Sequence, residues 1–163
     1  MKVLVLGGIK SGKSLYAEKF TCKLSLKKPY YVATTECFDK EMKKRIKKHK
    51  KQRKKSFSTK EEPLRLYKAV KKLDDAVLVE DISMWINNML YHKKQKKIFK
   101  EIKKLLGLKQ DIVFVMNNVG ESVIGATKIT REFVDYNGKV SQLLAKRCDK
   151  VFEIVAGIPK ELK

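Results

Sequence analysis

Cysteine is scarce in this chain of 163 residues. Its three cysteines, Cys22, Cys37 and Cys148, lie far apart, are odd in number and form no C-x-x-C pair. That spacing excludes a zinc ribbon or a disulfide framework as the organising element, and reduced thiols are expected. Long apolar runs are missing too: nothing approaches the roughly 20 consecutive apolar residues that cross a bilayer. The first residues run straight into a core-like strand and not into a cleavable leader, so a soluble, cytoplasmic protein is expected. No segment repeats. Acid is also in short supply, with 18 Asp and Glu against 39 Lys and Arg, a net charge of +21. An excess of that size suggests a nucleic-acid partner held through its phosphates. The distribution argues otherwise. Lysines sit on nearly every expected helix, at Lys27 and Lys28, from Lys43 to Lys55, from Lys93 to Lys97 and at Lys103 and Lys104, and not along one stripe. No aromatic side chains are interleaved with the densest basic run to stack on bases. A biased genome or a hot habitat also enriches surface lysine, so nucleic acid is not the expected partner.

The length suits one compact domain over residues 1–163. Its clearest signal comes first. The apolar run Val3-Leu4-Val5-Leu6 leads into Gly7-Gly8-Ile9-Lys10-Ser11-Gly12-Lys13-Ser14, which satisfies the phosphate-binding pattern G-x-x-x-x-G-K-[ST], and an amphipathic segment from Leu15 to Leu24 follows. Strand, glycine loop and helix in that order are the context the motif requires. The glycines let backbone N–H groups curl around phosphates, Lys13 supplies a positive point charge and the Ser14 hydroxyl is placed to hold Mg²⁺. The helix beginning near Lys13 adds its positive N-terminal end. A nucleoside triphosphate, ATP or GTP, is the expected ligand.

Short apolar runs recur at Lys2 to Leu6, Tyr30 to Ala33, Ala76 to Glu80, Asp111 to Met116 and Val151 to Val155. They are apolar throughout, as parallel strands covered on both faces must be. Helical patterns lie between them, at Lys13 to Leu24, Asp39 to Gln52, Pro63 to Lys72, Ile82 to Leu106 with a break near His92, and Thr130 to Arg147. The expected class is α/β: a P-loop NTPase of RecA-like type, with a doubly wound, mostly parallel sheet flanked by helices and its ligand at the carboxyl ends of the strands. The basic stretch Lys47 to Lys60 reads as a loop, because like charges repel along it.

Two further places carry chemistry. The run Val77-Leu78-Val79 closes on Glu80 and Asp81, two acids at the edge where phosphates are expected. Glu80 is the favoured catalytic and Mg²⁺-binding acid. Asp81 reads equally well as a second acid or as the N-cap of the next helix, since successive strand residues face opposite ways. On the segment from Asp39, the positions Met42, Ile46, His49 and Arg53 share one helical stripe among lysines. His49 there is either a structural histidine or a nucleophile kept neutral by surrounding cations, and Arg53 is placed to steady phosphate charge.

In order along the chain, these segments resemble those of one family, the bifunctional adenosylcobinamide kinase/adenosylcobinamide-phosphate guanylyltransferases of cobalamin biosynthesis. The loop is similar to the family's GG-x-x-SGKS. Ala33-Thr34-Thr35, then Asp39, Glu41-Met42, Arg45-Ile46, His49 and Arg53, resemble AT…D-x-EM-x-x-RI-x-x-H-x-x-x-R, the most specific part of the match. Glu61-Glu62-Pro63, Glu80 with Asn88, Asn117 to Gly120, and Arg131, Asp135 and Gly138 fall where the family has related signatures. The chain departs from the family at Asn118, where a glutamate is usual, at Ser141 in place of asparagine, and at Phe57 in place of tryptophan. The resemblance implies a kinase that phosphorylates the side-chain hydroxyl of adenosylcobinamide. It also implies a guanylyltransferase in which His49 takes GMP from GTP. Lys13 and Glu80 would then be catalytic with His49; Thr34, Thr35, Arg53 and Glu61 would join the loop in binding nucleotide; and a homo-oligomer, a trimer, is implied. Read without the resemblance, the residues also suit a P-loop kinase of another small molecule with His49 structural, or a basic nucleic-acid-binding ATPase.

Overall fold

The computed structural model describes residues 1–36, 56–119 and 125–163. Among them, seven strands form one sheet: β1 (Lys2–Gly7), β2 (Tyr30–Ala33), β3 (Ser58–Glu61), β4 (Val77–Glu80), β5 (Ile112–Asn117), β6 (Lys150–Val155) and β7 (Ile158–Glu161). Their order is β3-β2-β4-β5-β1-β6-β7, and every neighbouring pair is parallel except β6 and β7, which form an antiparallel hairpin. The helices are α1 (Lys13–Leu24), α2 (Leu66–Val70), α3 (Ile82–Tyr91), α4 (Ile98–Leu106) and α5 (Lys128–Arg147).

The apolar character of the central strands follows from burial on both sides. Val3 and Val5 of β1, with Leu78, Val113 and Val115, pack under α1 through Ala17, Tyr16, Phe20 and Leu24. Leu4, Val77, Val79, Ile112 and Phe114 face the opposite way, into a larger core with Trp85 and Ile86 of α3, Ile102 and Leu105 of α4, and Val140 and Leu144 of α5. This is the doubly wound, mostly parallel arrangement expected from the alternation of runs. The strand β5 lies between β1 and β4. The phosphate-loop strand and the strand ending in Glu80 are therefore separated by one strand, and their carboxyl ends share one sheet edge.

Several boundaries differ from the sequence reading, each for a physical reason. The helical stretch Ile82 to Leu106 breaks where expected, just after Tyr91, but the gap is wider than one residue, because Tyr91 to Lys97 offers no apolar positions to pack and Lys93 takes a left-handed φ of 52°; a 3₁₀ turn, Gln95–Lys97, bridges the two helices. The helix expected over Pro63 to Lys72 is cut to Leu66–Val70, since Glu62 turns the preceding chain by accepting from the N–H groups of Leu64 and Arg65. The segment Ser58 to Lys60, read as part of a basic loop, is strand β3: pairing with β2 gives it the extended form that its polar side chains do not announce. The edge strand β7, exposed at all four residues, was not foreseen. The expected helix Asp39 to Gln52 and the loop positions 47–55 lie outside the described residues.

Of the described cysteines, Cys22 is exposed and Cys148 buried, and both are free. Burial, helped by the neighbouring Asp149 charge, pushes the Cys148 thiol up to about 12, so it is unreactive at neutral pH. No described helix is long and apolar enough to cross a membrane.

Asp75 ties the end of α1 to the start of β4. Its carboxylate accepts from Ser25 Oγ at 2.7 Å, Leu26 N at 3.1 Å, Lys27 N at 2.9 Å and Ala76 N at 2.7 Å. Partial burial works against its charge, but these four hydrogen bonds outweigh it and hold the carboxyl well below its ordinary value of 3.8. A depressed carboxyl stabilises the folded state above the unfolded pKa, and that contribution is lost as pH falls through the lower folded one. Denaturant titrations of Asp75→Asn should therefore show a loss of about 1 kcal/mol at pH 7, the scale of a lost cap. The gap to wild type should narrow below pH 3.8. A gap independent of pH would contradict this role.

Candidate functional site

The loop Gly7 to Ser14 leaves β1 at the carboxyl edge of the sheet and enters α1 at Lys13. No side chain caps the N-terminus of α1, and its first turn carries no acid. The N–H groups there have no side-chain acceptor and the positive end of the helix is uncompensated, which is the environment an anionic phosphate stabilises. Lys13 is only 8% exposed, and its ammonium lies back over the loop, 3.1 Å from the Gly8 carbonyl oxygen.

The acids of β4 sit opposite. Ser14 Oγ donates to Glu80 Oε1, which joins the loop to β4 across the intervening strand. The other Glu80 oxygen, Oε2, is buried without a hydrogen-bond partner. An uncompensated buried carboxylate oxygen beside a hydroxyl, next to a phosphate-binding loop, makes an oxygen-only donor pair of the sort Mg²⁺ prefers. Among the described residues there is no group of three or more His, Cys, Asp or Glu able to hold a metal. Mg²⁺ here would thus rest on Ser14, Glu80, water and the phosphates of its substrate, as is usual for that ion at triphosphate sites.

Asp81 settles into the second of its two readings. It caps α3, with Oδ1 accepting from Met84 N at 2.5 Å and Oδ2 accepting from Asn117 Nδ2 at 3.0 Å. Although the residue keeps some surface, its carboxyl is enclosed, and burial pushes its pKa up; the Glu80 charge adds to the rise, while the Met84 N–H, Lys13 and Asn117 oppose it. The peptide bond joining Glu80 to Asp81 is cis. Thr34, wholly buried after β2, donates its hydroxyl to the Asp81 carbonyl at 2.8 Å. Its own carbonyl accepts from Asn88 Nδ2 at 2.7 Å, and the same amide reaches Pro63 O at 3.2 Å. Thr34 therefore belongs to the framework behind the acids, with its side chain turned inward. Thr35 follows at the same edge, half-buried.

On the far side of Asp81, Ser83 Oγ accepts from Asn117 N at 3.0 Å, and Asn137 Nδ2 donates to Asn117 O at 3.1 Å. Asn118, one of the three departures from the family pattern, donates its backbone N–H to Gly7 O at 3.1 Å and sets its amide 3.3 Å from Glu153 Oε1. The carboxyl edge is thus one hydrogen-bonded frame running from β2 through β4 and β5 to β1. Ser83 and Asn137 were not singled out in the sequence. Asn137 had a signal, as the one polar member of the inward stripe Phe133, Asn137, Val140 and Leu144 at i, i+4, i+7 and i+11. Ser83 had none, being a serine in a helix's first turn.

The structure brings Gly7, Gly8, Ile9, Lys10, Ser11, Gly12, Lys13, Ser14 and Glu80 together at one edge. Glu61 ends β3, the outermost strand on that side and two strands from Glu80 in the order β3-β2-β4, and is exposed. His49 and Arg53 lie outside the described residues.

A family model described as cobinamide kinase / cobinamide phosphate guanyltransferase matches residues 3–162. The chain is 34% identical over 170 residues to the bifunctional adenosylcobalamin biosynthesis protein CobP of Pseudomonas aeruginosa, covering 100% of this chain and 98% of that one. It is 32% identical over 183 residues to CobU of Salmonella typhimurium, which carries the same bifunctional description, with both chains fully covered. Among solved structures, the flagellar accessory protein FlaH of Methanocaldococcus jannaschii superposes with a TM-score of 0.51 at 15% identity, over 99% of this chain and 77% of that one. At that identity the likeness concerns the fold alone.

Proposed function

The chain belongs to the cobinamide kinase / cobinamide phosphate guanyltransferase family, and from that membership we propose that it carries out both reactions in turn at the edge formed by the phosphate loop and Glu80. The observation that carries this reading is the contact of Ser14 with Glu80 beside an uncapped helix N-terminus and a nearly buried Lys13.

In the first reaction the γ-phosphoryl group of ATP or GTP passes to the side-chain hydroxyl of adenosylcobinamide. The loop N–H groups and Lys13 hold the triphosphate and meet the charge that develops on the transferred group. Ser14 and Glu80 would hold Mg²⁺, which when bound neutralises phosphate charge. In the second reaction an imidazole nitrogen of His49 attacks the α-phosphorus of GTP, the bond to the bridging oxygen breaks and pyrophosphate leaves. The phosphate oxygen of adenosylcobinamide phosphate then displaces the histidine, giving adenosylcobinamide-GDP. Arg53 steadies phosphate charge. The setting is cytoplasmic, with the protein acting as a homo-oligomer on small molecules and not on nucleic acid.

The test is covalent labelling. Incubation with GTP radiolabelled at the α-phosphate and Mg²⁺ should leave acid-labile, base-stable label on the wild-type protein, and His49→Ala should carry none. Label that survives in His49→Ala removes the histidine from the role. Folded wild-type protein that phosphorylates a small molecule yet takes no label would mark it as a kinase alone.

A further inference from the structure

The β6–β7 hairpin is unusual in what it does not do. All four residues of β7 are exposed, so the strand adds nothing to either core. Its side-chain anchor to the sheet is at the far end, where Lys150 Nζ lies 2.5 Å from Glu161 Oε1. Yet the two-residue turn joining β6 to β7 is built at conformational cost. Ala156 and Gly157 both have positive φ, 50° and 83°, and alanine rarely adopts that form. A two-residue hairpin turn needs positive φ at both central positions whatever it touches, so its role is decided by its contacts.

The turn lies against the phosphate loop. Gly157 N donates to Ser11 O at 2.8 Å. A Cβ on Gly12 would fall 3.2 Å from Gly157 Cα and 3.9 Å from Ile154 Cγ2, so the turn touches the back of the loop at the residue where it becomes helix. Gly12 itself has a φ of 95°, which only glycine takes readily. To cradle phosphates, the loop must point its N–H groups inward and its carbonyls outward. An outward carbonyl needs a donor, from the protein or from water, and Ser11 O takes its hydrogen bond from Gly157 N. From this geometry we infer that Gly157 is a positioning residue for triphosphate binding, its N–H holding the Ser11 carbonyl outward so that the loop's N–H groups stay aimed at the outer phosphates. The inference rests on the loop binding a triphosphate, as proposed above, and adds that the hairpin's purpose is to brace it.

The test compares Gly157→Val, whose branched side chain refuses a φ of 83°, with Gly157→Asn, which tolerates it. GTP and GMP affinities are measured by calorimetry with Mg²⁺, alongside melting temperatures without nucleotide. Gly157→Val should weaken GTP about tenfold, the scale of one lost positioning hydrogen bond, and leave GMP unchanged because the brace serves the outer phosphates. Gly157→Asn should restore GTP affinity to within about twofold of wild type. If Gly157→Val does not fold, Gly157→Ala carries the same comparison at smaller size, since a Cβ there meets nothing within 4 Å and only φ is strained. GTP affinity unchanged in the valine or alanine variant overturns the inference. So does parallel weakening of GTP and GMP, which would mark general loosening. Wild-type protein that binds no triphosphate at all overturns the functional reading, and this inference with it.

Discussion

Replacing Lys13 with alanine is expected to lower kcat for both phosphoryl and guanylyl transfer by about 10²- to 10³-fold, the loss that follows removal of one preorganised charge-stabilising contact. The reason lies in where the ammonium sits. Lys13 is 8% exposed, at the first position of α1, within 3.1 Å of the Gly8 carbonyl, so its charge acts where water is largely excluded. In the mechanism proposed above it would face the migrating phosphoryl group in the kinase step and departing pyrophosphate in the guanylyl step. One cation serving both predicts that both rates fall together. Arginine should not rescue, because a planar guanidinium needs more room than a nearly buried ammonium leaves. Rapid-quench measurement of the two half-reactions on Lys13→Ala checks this. A variant that loses one activity and keeps the other would separate the two triphosphate sites, and one that keeps both would remove the loop from the chemistry.

Glu80→Gln is the second large effect. The glutamate has one oxygen bonded to Ser14 and the other buried without a partner. Glutamine preserves the shape and the acceptor for Ser14 but removes the negative charge and puts an N–H₂ donor where Oε2 stood. If that oxygen serves Mg²⁺, the variant should need a much higher Mg²⁺ concentration for half-maximal rate and lose about 10²-fold in kcat at ordinary levels, partly recovered when Mg²⁺ is raised. Recovery with Mg²⁺ separates a lost ligand from a lost fold. Unaltered Mg²⁺ dependence would assign Glu80 to holding Ser14 alone. Chelation of the divalent ion from the wild type should mimic the variant.

Much of the architecture was legible because it rests on burial. The runs Val3 to Leu6, Val77 to Val79 and Ile112 to Met116 are apolar at every position, which only a strand covered on both faces requires, and each proved central. The phosphate loop was equally plain, since glycines, lysine and serine at fixed spacing act through the local backbone. The edge strands β3 and β7 escaped notice for the converse reason. Ser58 to Glu61 and Ile158 to Glu161 bury little, and their extended form comes from hydrogen bonds to a neighbour far off in sequence or across a turn. The break of the long helix between Tyr91 and Ile98 was anticipated near His92, where the apolar period lapses.

For the site, the division is between groups that act through local chain and groups that act through neighbours. Lys13, Ser14 and Glu80 could be named in advance because a motif or a strand end announces them. That Asp81 is a cap, that Thr34 and Asn88 brace the acids from behind, and that Asn117 links Asp81 to Asn137 depended on which strand ends the sheet order sets side by side. The sequence by itself determined that this chain carries a phosphate-loop motif on a doubly wound α/β scaffold, because glycine geometry and uninterrupted apolar runs have few other solutions. Only the tertiary structure decided that Glu80 meets Ser14 across β5, and that a hairpin turn near the far end of the sequence, at Gly157, meets the phosphate loop at Ser11. Contacts of that kind are set by strand order and chain reversal, and the residues that make them, a glutamate and a glycine, carry no local pattern that foretells their partners.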